Sequence, residues 1–87
     1  MLIRSQNKKV LVAFEFLPDI EVSCGVISAR RDMGWCLSLG EYSTNAKAMK
    51  VLDMMQKRYE EYETERIYKE GTYGIETFQM PEDSEVV

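Results

Sequence analysis

Between Thr44 and Tyr62 the apolar side chains fall at Ala48, Val51, Leu52, Met55, Tyr59 and Tyr62. Separations of three and four residues line one face of an α-helix and neither face of a strand. Lys47, Lys50, Asp53, Lys57, Glu60 and Glu61 take the flanks and the back. Ser43 and Thr44 precede the run, and either hydroxyl can accept the first free N–H groups of the helix. About twenty residues at 1.5 Å each span roughly 30 Å, whereas a strand of five or six residues spans about 17–20 Å. Such a helix should overhang its sheet unless it crosses several strands obliquely, and Tyr59 and Tyr62 would be the residues left overhanging.

Two endings are open for the helix. Past Tyr62 the stripe position falls to Arg66, while Ile67 and Tyr68 point elsewhere. Glu60, Glu61, Glu63 and Glu65 would oppose the macrodipole of a helix that stopped nearby. Running on to Lys69 makes Glu65–Lys69 a favourable i,i+4 pair and Gly71 a C′ residue. The longer form is favoured.

What precedes the helix reads as strands. Leu2 to Gln6 and Lys9 to Phe14 are joined by a Gln6-Asn7-Lys8 turn, and Leu17-Pro18-Asp19 breaks the run because proline cannot donate to a ladder. Ile20, Val22 and Cys24 alternate with Glu21 and Ser23, as on a half-buried strand. Gly25 is a tight turn or a bulge; a turn is favoured, with Val26 to Arg30 returning antiparallel. Arg31-Asp32-Met33-Gly34 is the next connection. Trp35, Leu37 and Leu39 then alternate in a fifth strand, and Gly40 ends it. Glu76 to Met80 reads as a short sixth strand stopped by Pro81. The expected fold is α+β: an antiparallel meander of about five short strands, then one long amphipathic helix packed on one face.

At 87 residues there is room for one core, assigned to 1–80, with 81–87 as an acidic, mobile tail. A chain of this size buries only about 60–65% of its surface on folding, so a partner subunit would help it. No stretch approaches a membrane span and no apolar leader opens the chain. Two cysteines without a disulfide-scaffold pattern fit a reducing compartment. A soluble, cytoplasmic protein is expected. Residues 1–50 carry seven Lys/Arg against five Asp/Glu, and residues 51–87 carry four against ten. That acidic second half disfavours nucleic acid and suits a basic partner surface.

Three segments carry a resemblance: MLIRSQ at 1–6, LGEYST…A…VLDMMQ across 39–56, and FQMP at 78–81. Together they resemble a family of small uncharacterised proteins of bacteriophages and prophages of Gram-positive bacteria. The resemblance implies a single α+β domain and a role in an infection cycle, and it brings no activity with it. The chain departs from that family at Asn45-Ala46, where relatives commonly have acidic residues, so a capping-box glutamate is missing. The stretch from Gly25 to Gly34 is also less like the family.

Catalytic chemistry has little to stand on. The chain has no histidine, which removes the commonest general base and metal ligand. Cys24 and Cys36, on neighbouring strands, would supply two of the four ligands of a zinc site; small, partly buried hydrophobes are the better reading. Glu15, Asp19, Glu21, Asp32 and Glu41 read as solvated turn charges rather than an acid–base pair. Lys8, Lys9, Arg30 and Arg31 beside Trp35 read as charged edges that discourage aggregation rather than a single-strand platform. No catalytic residue, cofactor or metal is implied. Met54, Tyr59, Tyr62 and Tyr68 are the interface candidates, because methionine adapts to varied partners and tyrosine is enriched at interfaces. The leading expectation is a non-enzymatic structural or interaction protein, homo-oligomeric through the helix. The alternative is an acidic inhibitor or modulator of a host enzyme or nucleic-acid-binding protein.

Overall fold

A computed structural model describes residues 1–30, 36–68 and 77–86, with side chains along the helix described as far as Thr64. The Arg31–Gly34 connection, Trp35, Lys69, Gly71 and the side chain of Tyr68 lie outside the described residues. The fold is α+β, with six strands and one long helix among the described residues, in the order β1 (Leu2–Arg4), β2 (Leu11–Ala13), β3 (Ile20–Ser23), β4 (Val26–Arg30), β5 (Cys36–Glu41), α1 (Asn45–Tyr68) and β6 (Thr77–Gln79).

The strands divide into two three-stranded sheets, β2-β1-β6 and β3-β4-β5. Among the described residues all four strand pairings join neighbours in sequence or the final strand to the first. β1 pairs antiparallel with β2 and parallel with β6, so Ile3 stands between Val12 and Phe78. In the second sheet every pair is antiparallel, with Val22 opposite Ile27 and Ala29 opposite Leu37. The helix packs on β3 and β4.

The β3–β4 hairpin turns through Cys24 and Gly25 alone, both at positive φ (51° and 78°). Two consecutive positive φ values match the right-handed twist of the strands on either side. Glycine is needed at the second position, since a Cβ there would come within 2.5 Å of the Tyr42 carbonyl oxygen. Gly40 corrects one expectation: it lies inside β5 rather than ending it. Ile27 faces Gly40 and Ser28 faces Ser38, so Leu39 is an extra residue in β5, a bulge. The bulge lets both Leu39 and Gly40 be buried, and the Tyr42 ring folds over Gly40.

One core joins the layers. Ile3, Ile27, Ala29, Leu39, Ala48, Val51, Met55 and Met80 are all essentially inaccessible. The sheets are stitched by Gln6. Its backbone N–H donates to the Leu39 carbonyl at 2.8 Å. Its side-chain amide exchanges bonds with the Glu41 N–H and C=O, at 2.9 and 3.0 Å, as a neighbouring strand would.

Two further expectations are corrected. Residues 81–86 do not hang free as a tail: Val86 is only 6% exposed, and Tyr42 Oη donates to the Pro81 carbonyl at 2.8 Å. Burial, with Glu82, Asp83 and Glu85 nearby, pushes the Tyr42 phenol up to about 12. Nor do Tyr59 and Tyr62 overhang. Both are half-buried against the core, and Tyr59 stacks on Phe14 with ring centroids 4.4 Å apart. The helix itself continues to Tyr68, past the shorter of its two expected endings.

Thr44 caps α1, its Oγ1 accepting the Lys47 N–H at 3.1 Å. The first turn contains no acidic residue. Asp83 supplies the missing charge from the other end of the chain: its carboxylate accepts the Ser43 N–H at 2.7 Å and faces Lys47 Nζ at 3.7 Å. The Ser43 backbone bond is the main reason that this carboxyl sits below its ordinary range, with Lys47 adding to it.

Candidate interaction surface

Between β2, which ends at Ala13, and β3 the chain crosses from one sheet to the other through a short segment that includes Pro18. Just before it, Phe14–Phe16 forms a single 3-10 turn, so its two aromatic rings point in different directions. Phe14 turns inward onto Tyr59, while Phe16 is 85% exposed. The loop does not close onto the middle of α1. Between them lies an open groove of about 470 Å³, walled by Phe14, Leu17, Pro18, Asp19 and Ile20 on one side and by Leu52, Met55, Gln56, Tyr59 and Glu60 on the other. That volume is within the range of sites that hold an apolar group.

The groove is apolar inside and acidic at the rim. Its two charged residues are Asp19 and Glu60, one on each wall. Asp19 faces Arg30 Nε at 3.7 Å in a loose pair, both side chains being more than half exposed. Glu60 accepts a bond from Gln56 Nε2 at 3.1 Å.

Of the residues expected at an interface, Tyr59 forms part of the groove wall. Tyr62 lies next to it, with ring centroids 6.1 Å apart. Met54 is 45% exposed but does not line the groove, and the structure does not bring it together with the tyrosines. Phe16, Leu17 and Ile20 were not singled out from sequence. The signal available was the Phe14-Glu15-Phe16-Leu17-Pro18 run, an aromatic-rich segment placed where a proline forbids a strand.

The other candidates disperse. Cys24 and Cys36 are both exposed rather than partly buried, and they sit at opposite ends of their sheet, Cys24 in the β3–β4 turn and Cys36 opposite Arg30. Glu15 binds the Met1 amino group through both oxygens, at 2.8 and 2.9 Å. Glu21 and Glu41 are exposed on separate strands, and Asp32 lies outside the described residues. Arg30 ends β4, whereas Lys8 and Lys9 lie on the β1–β2 turn of the other sheet, with Arg31 and Trp35 outside the described residues. Among the described residues no group of three Cys, Asp or Glu side chains is placed to hold a metal ion, and no helix is long and apolar enough to cross a membrane.

Comparison with protein-family models, with curated proteins and with solved structures finds no match to this chain. The groove must be interpreted from its own chemistry.

Proposed function

We propose that this chain is a non-enzymatic protein-interaction module whose docking surface is the groove between α1 and residues 17–20, and whose occupant is a segment of another protein. The observation that carries the reading is Phe16. A phenyl ring left 85% in water, in the segment whose neighbours Phe14 and Leu17 line an open apolar groove, buries almost nothing where it stands. Large aromatic side chains exposed next to such a concavity are the usual anchors of protein contacts. The groove's polar side chains are two rim carboxylates, an amide and a phenol, which supply no base-activated nucleophile. With the resemblance to small phage and prophage proteins, the reading becomes a modulator acting on a host or phage protein in the bacterial cytoplasm during infection.

Self-association is the second reading, and Phe16 also motivates it. A projecting ring and a receiving groove on one chain are the complementary parts that a contact between two copies requires. The rim opposes it, because two copies meeting there would set Asp19 and Glu60 of one against the same residues of the other.

The test compares wild type with Phe16→Ser as bait, together with light scattering at micromolar concentration. A monomer that retains a protein released by Phe16→Ser supports the module. A dimer dissolved by Phe16→Ser transfers the surface to self-association. Retention of the same proteins by both baits overturns a role for this face.

A further inference from the structure

We infer that the groove selects a cationic occupant: a partner-protein segment that presents an apolar side chain beside a lysine or arginine. This rests on the groove being a docking surface and adds the chemistry of what docks. The two charged residues that line it are both carboxylates, Asp19 from the loop and Glu60 from the helix, in a lining that is otherwise apolar apart from Gln56 and the Tyr59 phenol. An anionic segment would meet repulsion from both walls. An uncharged one would take water from both carboxylates and leave Asp19 with its loose Arg30 contact and Glu60 with one amide bond.

Lysine and arginine fit because their stems lie along apolar surface while the charged head stays at the edge. The stem would cover the floor and the head would reach the rim. Both carboxylates can accept such a head. The contact between Asp19 and Arg30 is long and solvent-exposed, so exchanging it costs little. Glu60, which takes one bond from Gln56, keeps further acceptor sites, since a carboxylate has about four.

The experiment uses two fluorescein-labelled amphipathic helical peptides as probes, one of leucine and lysine and one of leucine and glutamate, with anisotropy read at low and high salt. The lysine peptide is expected to bind more tightly than the glutamate peptide and to weaken with salt. Asp19→Asn combined with Glu60→Gln should weaken it roughly tenfold, two rim charges at somewhat under 1 kcal/mol each. Glu21→Gln combined with Glu41→Gln removes the same net charge outside the groove and should leave binding unchanged.

Equal weakening by the two double variants overturns the proposal, since bulk charge would then account for binding. So does failure of both peptides to bind. If both bind alike and Leu52→Gln abolishes both, the groove docks segments without regard to charge, and only the cationic preference fails. If Leu52→Gln, with its fold verified by thermal melting, changes neither, the docking reading fails as well.

Discussion

The two halves of α1 carry the same kind of stripe and meet different surroundings. In the first half Ala48 and Val51 are sealed in the core that holds Ile27, Ala29 and Leu39. Leu52, and in the second half Tyr59 and Tyr62, are only half-buried, and Leu52 and Tyr59 line the groove that the loop after Pro18 leaves open. One helix face is thus finished by the fold at one end and left unfinished at the other. Apolar periodicity reports which face is turned from water, and the opposing segment decides how completely.

The sharpest way to break this comparison is a pair of truncations. Leu39→Ala, in the sealed region, should lower stability by about 3 kcal/mol, and Leu52→Ala, at the groove, by about 1 kcal/mol. Both are read by urea unfolding, and equal losses would mean that the groove is as tightly packed as the core. Gly25→Ala tests the turn that closes the sealed end. Its positive φ and the approach to the Tyr42 carbonyl should together cost about 2 kcal/mol.

Tyr42→Phe should cost about 1 kcal/mol through loss of the bond to Pro81. It should also flatten the alkaline side of the stability curve. Because the folded phenol is raised to about 12 from an ordinary 10, its stabilisation is intact below pH 10 and lost as pH rises towards 12. Wild type should melt progressively lower over that interval and the variant should not follow it. The smallest effect belongs to Asp83, an exposed carboxylate. Its folded pKa is depressed, so its contribution is present above the ordinary carboxylate range and fades as pH falls through the folded value. Asp83→Asn should lower the melting temperature slightly at neutral pH and leave it unchanged in acid. A large loss at neutral pH would make the docking of 81–86 more consequential than the packing at either end of the helix.

Local chemistry made much of the architecture legible. The three- and four-residue spacing from Ala48 to Tyr62, the Thr44 cap, the alternation from Ile20 and the Gly25 turn with Val26–Arg30 returning after it are short-range signals, and each element stands where they place it. Less legible was whatever depends on distant partners. The Leu39 bulge answers to the Tyr42 ring and to Gln6, and Asp83 serves the start of a helix forty residues earlier in the chain. The composition of 81–87 describes a free tail only while Tyr42 and Ser43 are left out of account. The candidate site was half visible: Tyr59 could be picked from the stripe, whereas Phe16 gains its meaning from the loop beside it.

By itself, then, the sequence determined the element types, the buried face of the helix and the acidic bias of the second half, since these follow from periodicity, capping and charge within a few residues. Tertiary structure alone decided the split into two sheets, the return of β6 alongside β1, the docking of 81–86 and the groove. Those depend on which surfaces meet across the whole chain, and a gap between surfaces leaves no periodicity in either one.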